Sequence, residues 1–500
     1  MEEAHPIPGW TVSDAAKTGL FLLVLGLFIR RFFLRRPRLP PGPFAFPIFG
    51  ALPLVDARNP LETFRQWAKQ YGKMYFIKMG ANNVIMLNDA ELVREAFSGD
   101  VCNYRPQHIG VRKRKKESGG GCGIIFADGL LWKEHRRFLL RTFRDLGVGR
   151  RSIEDKIKQE ADYLLTIVRD GQGQPMDTTL PAKTVVGNVI TSIVSSDRYL
   201  IDDPNKEFAE LVEKADRMFK ISFESVMIES YEWLWWIPPF TKEYKILTGC
   251  FEYIRDYFVK KVQKHRKEWR EGEERDLMDT YMTSMKNKEH ATFSEKQLGY
   301  LGDDLMLAGH ETTATTLRWG LLYMCLYPDI QKKVQVELDG IMAPGSTIVP
   351  SDQLNMPYTE AVLTELSRIG SIVPFGVMHM AEKDTTLAGY DIPQGTWIMP
   401  NLHYIHHDDT LWENPNEFIP ERFLTSDGKT LKCPDYLIPF SVGKRRCPGE
   451  GLARTEIVSL FTGVLRNFDL RVEHPERISR IPIMGHTLEP QHHHIIATPR

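Results

Sequence analysis

The feature that most constrains this chain is a lone cysteine in a loop rich in glycine, proline and arginine. The stretch PFSVGKRRCPG occupies residues 439–449, and Cys447 lies far in sequence from any partner cysteine. Pro448 suits the first position of a helix, so the pattern predicts a helix that begins directly after the cysteine. The amides of that helix end and the basic residues 444–446 favour a thiolate, which is the form that ligates metal or acts as a nucleophile. The alternative, an inert buried cysteine, remains open from these residues alone.

Five residues of this loop form a pattern with fixed spacing. The pattern is F-x-x-G-x-R-x-C-x-G, and its members are Phe440, Gly443, Arg445, Cys447 and Gly449. In these positions the sequence resembles the cysteine loop of the cytochrome P450 haem-thiolate monooxygenases. The resemblance implies that haem b is the cofactor and that the Cys447 thiolate is the axial ligand of its iron. It also places Phe440, Arg445 and Gly449 in contact with the haem.

A second motif, LAGHETTATT, occupies residues 307–316. Ala308 and Thr312 are four residues apart, so they share one face of a helix. The resemblance identifies this segment with the oxygen-activating helix of the family, where Ala308 contacts the haem and Thr312 and Glu311 are the catalytic pair in proton delivery. Taken alone, Glu311 and Thr312 are more typical of a solvated helix face. His310 departs from the family pattern, and packing is favoured over substrate contact for this residue.

Two further motifs follow in the order that the family shows. Glu365 and Arg368 are three residues apart in TELSR and therefore neighbours on one helix face. The later stretch PERF, residues 420–423, supplies Arg422. The resemblance implies a structural Glu-Arg-Arg cluster beneath the haem, whereas an isolated pair of this kind is usually an ordinary surface ion pair.

The stretch LLWKEHRRF places Trp132 and Arg136 four residues apart on one helix face. The resemblance implies that both bind a haem propionate, together with Arg445 and His379. Arginine suits this task because its planar guanidinium matches the geometry of a carboxylate. Without the resemblance, packing by Trp132 and solvation of Arg136 would be the better interpretation.

An apolar segment near the N-terminus predicts a membrane anchor. Residues 18–29 carry no charge, and a basic cluster at 30–38 follows them. If the helix continues to residue 34, its length is roughly 27 Å, which suits the thin bilayer of the endoplasmic reticulum. Because the basic cluster follows the span, the positive-inside rule places the rest of the chain in the cytosol. The alternative is a buried core helix, since residues 18–29 alone are too short to span a bilayer.

The remaining sequence predicts one large domain. Residues 1–38 form the anchor and its basic stop segment, residues 39–50 a stiff proline-rich spacer, and residues 51–500 a single haem-binding catalytic domain. Most of that domain shows helical periodicity, with strands expected only at 73–89 and 388–402. The fold class is therefore mainly α with a minor β region, and the resemblance implies the cytochrome P450 fold. Helices are predicted at 61–72, 130–146, 152–170, 204–219, 248–272, 294–327, 330–340 and 359–369.

Composition excludes some classes of function. The formal net charge is −1, so the sequence gives no reason to expect a nucleic-acid partner. The six cysteines lack close pairing, which argues against a disulfide scaffold and against a structural zinc site. The expected partners follow from the resemblance: NADPH–cytochrome P450 reductase, with cytochrome b5 as a further electron donor. Candidate docking residues are Arg137, Arg141, Lys432, Lys444 and Arg446.

Substrate contacts are predicted only by family position. The expected segments are 104–125, 219–240, 303–308, 373–377 and 484–488. Residues 111–123 are unusually basic and glycine-rich for such a segment. The aromatic stretch at 231–240 is interpreted either as a membrane-interface contact or as core packing.

These patterns predict a haem-thiolate monooxygenase. It would insert one oxygen atom of O₂ into a lipophilic small molecule, such as a steroid, terpenoid, fatty acid or foreign compound, with electrons from NADPH. One alternative is a haem-thiolate isomerase that rearranges a peroxide without a reductase, but Glu311 and Thr312 argue against it. A second alternative is a non-catalytic haem-binding membrane protein, for which the sequence offers no support.

Overall fold

The fold is described from a computed structural model, which covers residues 18–19, 21–22, 37–106, 112, 123–146, 151–204, 206–341 and 355–500. The anchor predicted from residues 18–34 lies almost wholly outside these residues. Within them, no helix is both long enough and apolar enough to cross a membrane.

Most of the described chain is helical, as the sequence predicts. The first helices are α1 (Pro60–Tyr71), α2 (Ala90–Ser98), α3 (Gly129–Leu146), α4 (Arg151–Asp170), α5 (Thr179–Val194), α6 (Glu207–Phe219) and α7 (Phe223–Ser230). They are followed by α8 (Phe240–Glu268), α9 (Leu277–Lys286), α10 (Glu295–Leu326), α11 (Pro328–Ile341), α12 (Pro357–Gly370), α13 (Leu402–His407) and α14 (Glu450–Asn467). Short 3-10 helices occur at Leu52–Leu54, Glu232–Trp236, Pro420–Phe423 and Pro475–Arg477.

The strands form small sheets at the periphery. They are β1 (Met74–Met79), β2 (Asn82–Leu87), β3 (His379–Met380), β4 (Thr385–Leu387), β5 (Tyr390–Ile392), β6 (Trp397–Pro400), β7 (Phe468–Arg471), β8 (Ile483–Met484), β9 (Leu488–Glu489) and β10 (Ile496–Pro499). The largest sheet has the order β1-β2-β6-β3, in which only β2 and β6 run parallel. Two antiparallel pairs, β7–β10 and β8–β9, carry the C-terminal part of the chain. The mainly α prediction with a minor β region is thus confirmed for the described residues.

Helix α10 is the central element of the fold. The Ser294 hydroxyl accepts a hydrogen bond from the Gln297 amide and so fixes where the helix begins. Residues of α10 then contribute to two large apolar clusters, one with α4, α12 and α14 and the other with α5, α6 and α8. Because both sides of the helix pack against other helices, its position is held rigidly.

Helix α5 is an element that sequence periodicity does not predict. Most of its residues are buried, so there is no polar stripe to mark one face as exposed. Its many β-branched residues also lower its helix propensity. Tertiary packing against α10, rather than a local signal, makes this segment helical.

The proline-rich stretch lies against the domain rather than apart from it. The amide of Phe76 in β1 donates to the carbonyl of Pro41 at 2.8 Å. A side chain at Gly42 would collide with the backbone of Phe76, so this position needs glycine for close approach. Residues 41–50 are therefore packed along the edge of the main sheet.

Candidate active site and family membership

The cysteine loop is shaped by its own backbone. Gly443 has φ +77°, and a Cβ there would lie 2.3 Å from the carbonyl oxygen of Phe97. The Cys447 amide donates to the Phe440 carbonyl at 3.1 Å, which closes the loop. Helix α14 begins at Glu450 with Gly449 as its N-cap, so Pro448 lies before the N-cap and not at the first helical position that the sequence predicts.

Cys447 opens into a large internal cavity. The cavity has a volume of about 1090 Å³ and reaches from α14 to α10. Residues predicted to contact a cofactor line it together with the cysteine: Trp132, Arg136, Ala308, Thr312, His379, Phe440, Arg445 and Gly449. Residues far apart in sequence are therefore brought to one space, as the motifs predict.

Three arginines line one end of this cavity: Arg105, Arg136 and Arg445. The side chain of Arg445 pairs with Asp128 at 2.9 Å and lies 4.1 Å from the centre of the Trp132 ring. Burial, followed by repulsion between the arginines, lowers the pKa of Arg105 to about 9, and burial lowers that of Arg445 to about 10. Asp128 attracts Arg105 and Arg445, whereas the attraction on Arg136 comes from Cys447, so the described residues give this end of the cavity an excess of positive charge.

His379 lies at the same end of the cavity. Its Nδ1 is 2.8 Å from the carbonyl oxygen of Cys102, and the ring stacks on Phe97. Burial and repulsion from Arg105 and Arg445 hold its pKa well below the usual range. The ring is therefore neutral, with its hydrogen on Nδ1. Nε2 becomes a second hydrogen-bond donor only where a bound anion favours protonation of the ring.

Helix α10 passes the other side of the cavity. The Thr312 hydroxyl donates to the Ala308 carbonyl at 2.7 Å, and both residues line the cavity. Glu311 is fully buried on a different face of the helix, where the ammonium of Lys183 lies 3.0 Å from its carboxylate. His310 is also fully buried and packs edge-on against Phe208, which agrees with the packing interpretation. The two predicted catalytic residues thus face different surroundings.

Comparison with known proteins agrees with this geometry. The cytochrome P450 family model matches residues 40–496. The chain belongs to the cytochrome P450 family. It is 35% identical to cytochrome P450 2J2 of Homo sapiens, over 97% of this chain and 95% of that protein. It is also 35% identical to cytochrome P450 2C38 of Mus musculus, over 96% and 97% of the two chains, and 36% identical to cytochrome P450 2B2 of Rattus norvegicus, over 87% and 88%.

The chain is accordingly a cytochrome P450 monooxygenase similar to family 2, and the family implies a haem-thiolate cofactor. The described residues fit that group. Among the described residues, the buried Nη1 of Arg445 has no hydrogen-bond partner, and such an orphaned donor calls for an acceptor. Asp128 balances one of the three arginine charges at this end, and haem b carries two carboxylates.

The three residues of the Glu-Arg-Arg motif lie together in the structure. Arg368 donates from Nε and Nη2 to the two carboxylate oxygens of Glu365, both at 2.7 Å, and both side chains are fully buried. Arg422 approaches the same carboxylate at 3.2 Å. Arg368 also donates to the carbonyls of His406 and Pro415 at 2.8 Å. The cluster therefore joins α12 to the loop that precedes PERF.

By themselves, the residues around Cys447 do not favour its thiolate form. The sequence predicts a lowered thiol pKa, but burial raises the pKa of Cys447 more than the Gly449 amide, Arg136 and Arg446 lower it. Desolvation of the thiolate by the surrounding residues thus exceeds the attraction of the helix end. A bound metal ion would hold the thiolate form, because metal binding releases the thiol proton.

Two buried basic residues are missed by sequence reasoning. Arg105 donates to the carbonyls of Val377 and Met378, both at 2.7 Å, at the edge of the cavity. A lone arginine in a loop gives no sequence signal for such a position. The sequence signal for Lys183 is that it is the single charged residue of the apolar helix α5. A charged residue in such a helix indicates a buried partner of opposite charge.

Glu456 in α14 is a buried acid that makes stability depend on pH. Burial, followed by repulsion from Glu160, raises its pKa well above the usual range, and Oε1 has no hydrogen-bond partner in the described part of the chain. The folded state thus keeps a proton that the unfolded state loses above about pH 4.5, so stability falls as pH rises.

Glu456→Gln is therefore expected to raise the free energy of unfolding. The gain over wild type should grow by about 1.4 kcal/mol for each pH unit until the folded pKa is passed. Urea unfolding at several pH values measures it, with Glu473→Gln as the exposed control. A gain that does not change with pH would show that Glu456 is ionised in the folded state.

Proposed function

We propose that the protein inserts one oxygen atom of O₂ into a lipophilic small molecule, with electrons from NADPH delivered by NADPH–cytochrome P450 reductase and with cytochrome b5 as a further electron donor. The observation that carries the proposal is one cavity shared by Cys447, the three-arginine end and Thr312. A haem between Cys447 and α10 would supply the oxygen chemistry, and the protein would supply ligation, orientation and a dry site.

The proposed roles follow from position in the cavity. Cys447 would ligate the iron. The carboxylates of the haem would lie at the end formed by Trp132, Arg136, His379, Arg445 and the newly found Arg105. Ala308, Phe440 and Gly449 would pack against its faces. Thr312 would hold a hydrogen-bonded proton in the cavity, and Glu365, Arg368 and Arg422 would support the loop beneath.

The cavity supports a lipophilic substrate. All five segments predicted to contact substrate contribute lining residues, among them Ile124, Phe219, Leu305, Val373 and Met484. Such side chains attract apolar molecules and offer few hydrogen bonds, so burial of apolar area would dominate binding. Steroids, terpenoids, fatty acids and foreign compounds all satisfy that description.

An exposed apolar surface supports a membrane location. The spacer contributes Phe44 and Phe49, and the aromatic stretch contributes Trp236, which is 84% exposed. The Tyr231 hydroxyl donates to the Ile48 carbonyl at 2.7 Å, which joins the two segments. We infer that this surface rests on the endoplasmic reticulum membrane, with residues 1–38 as a single-pass anchor and the domain of residues 51–500 in the cytosol.

The experiment is turnover under ¹⁸O₂ with purified reductase and NADPH, using testosterone, farnesol, lauric acid and 7-ethoxycoumarin as probes. We expect at least one probe to gain a single labelled oxygen, in a reaction that stops without reductase. Thr312→Ala should lower product formed per NADPH consumed. Rearrangement of a lipid hydroperoxide without NADPH, and no labelled product, would instead support the isomerase alternative. Haem binding without NADPH consumption would support the non-catalytic one.

A further inference from the structure

A cluster of charged side chains lies beside α10, outside the cavity. Lys183 of α5 donates to a carboxylate oxygen of Asp216 of α6 at 2.6 Å and lies 3.0 Å from a carboxylate oxygen of Glu311. Lys183 and Glu311 are buried, whereas the Asp216 side chain is 27% exposed. The cluster thus reaches from the protein surface to the residue that precedes Thr312.

His310 is buried against this cluster. One ring nitrogen, one carboxylate oxygen of Asp216 and one of Glu311 all lie within 4.8 Å of one another. Neither ring nitrogen forms a well-aligned hydrogen bond with a described residue, although the backbone of Lys183 lies close enough to the ring to raise its pKa. Gly187 leaves room for the ring, because a Cβ at this position would lie 3.2 Å from it.

The His310 nitrogen that faces the two carboxylates needs a reason. A buried polar group without a partner costs roughly 1–3 kcal/mol, and a phenyl ring would fill the same space without that penalty. Packing alone therefore explains the size of the side chain but not its chemistry.

A metal ion does not account for the cluster, although its three side chains are possible ligands. The ammonium of Lys183 already lies between the two carboxylates. Attraction by Glu311 and Asp216 raises the Lys183 pKa in spite of desolvation, so this cation is firmly protonated. A metal ion would have to displace it.

The raised pKa also makes Lys183 a poor carrier of protons, because a group with a raised pKa does not release its proton readily. The remaining group that approaches both carboxylates, among the described residues, is the imidazole of His310. Imidazole can accept a proton and release it again near neutral pH, and here one ring nitrogen faces both the donor and the acceptor carboxylate.

We propose that His310 carries protons from the partly exposed Asp216 to the buried Glu311, while Lys183 holds the two carboxylates in position. The inference rests on the proposed function, because Glu311 and Thr312 serve proton delivery only in a monooxygenase. Protonated Asp216 gives its proton, directly or through one water, to the ring nitrogen that faces both carboxylates, and the same nitrogen then gives that proton to the Glu311 carboxylate, which returns the ring to its neutral form. Asp216 regains a proton from solvent, and no electrons move.

The electrostatics of the cluster allow this transfer. Burial raises the pKa of Asp216 to about 6, and burial lowers that of His310 to about 4. The two pKa values differ by about two units, so at equilibrium the shared proton is on the His310 ring rather than on Asp216 roughly 1% of the time. That fraction is enough for a transient carrier. The charged groups that act on these residues are Lys183 of α5, Asp216 of α6, Glu311 of α10 and, on Lys183, Glu489 of β9.

The test needs no substrate. Reductase-driven reduction of O₂ to H₂O₂ consumes one NADPH, whereas reduction to water consumes two and needs more protons. The measured quantity is H₂O₂ formed per NADPH consumed, in wild type, His310→Phe and Asp216→Asn. His493→Phe is the matched control, because His493 is another buried histidine with an unpartnered Nε2.

We expect the ratio of H₂O₂ to NADPH to rise at least about twofold in His310→Phe and in Asp216→Asn, and to stay unchanged in His493→Phe. The thermal midpoint of His310→Phe should stay close to that of wild type, because a phenyl ring fills the same space. Stability provides a second readout for Asp216. Its raised pKa means that wild type loses stability as pH rises from about 4 to about 6, and Asp216→Asn should abolish that loss.

An unchanged ratio in folded, haem-loaded His310→Phe would overturn the inference and leave a packing role. A rise that Asp216→Asn does not share would overturn it as well. Wild type without a reduced carbon monoxide band, or without NADPH consumption, would instead overturn the proposed function, and the inference would fall with it.

Discussion

Arg368→Leu is expected to prevent the protein from accumulating in a folded, haem-binding form. The substitution leaves the buried Glu365 carboxylate without its bidentate partner, which typically costs about 3–5 kcal/mol. It also removes the donor to three carbonyls, those of His406, Pro415 and Glu417, and each unsatisfied group adds roughly 1–3 kcal/mol. The sum approaches the whole stability of a typical protein, about 5–15 kcal/mol. Soluble yield and thermal unfolding measure the effect.

Arg477→Leu is the matched control for this prediction. Arg477 is 74% exposed and pairs only loosely with Glu476 at 3.8 Å, so its loss should change stability by less than about 0.5 kcal/mol. Arg368→Lys should have an intermediate effect on stability. Lysine keeps the charge but lacks the planar guanidinium that donates to both carboxylate oxygens. A thermal midpoint in Arg368→Leu equal to that of wild type would show that the cluster has no structural role.

Arg445→Leu is expected to weaken haem retention by roughly 30-fold, or about 2 kcal/mol, the value of a charge-assisted hydrogen bond. The reason is that the orphaned Nη1 of Arg445 lies at the end of the cavity with surplus positive charge. The measurement is the rate of haem transfer from purified protein to apomyoglobin.

Lys444→Leu in the same loop is the control, because Lys444 is exposed and pairs with Asp100 at the surface. It should leave haem transfer unchanged. Equal transfer rates in Arg445→Leu and wild type would mean that this end of the cavity does not hold the propionates.

The parts of the site that could be predicted from sequence are those with fixed spacing. The cysteine loop and the Glu365–Arg368 pair are local patterns, and their geometry follows from a closed turn and from helix periodicity. Helix α10 was predicted as residues 294–327 and extends over Glu295–Leu326, because its apolar run is long and bounded by a capping serine.

Other parts depend on contacts that no local pattern contains. Arg105 is buried because loops distant in sequence close around it. Glu311 and Thr312 are adjacent in sequence but point about 100° apart on the helix, so only one of them faces the cavity. The residues that surround each of these helix faces belong to other helices. Tertiary packing, and not the local sequence, therefore decides what Glu311 and Thr312 contact.

The central claim is thiolate ligation by Cys447, and the carbon monoxide difference spectrum of the reduced protein tests it most directly. We expect wild type to show the long-wavelength Soret band that gives the family its name. Cys447→Ser should lose that band, and Cys433→Ser, which alters a cysteine outside the cavity lining, should keep it. A Cys447→Ser protein that retains the band, or a folded and haem-supplied wild type that lacks it, would contradict the account.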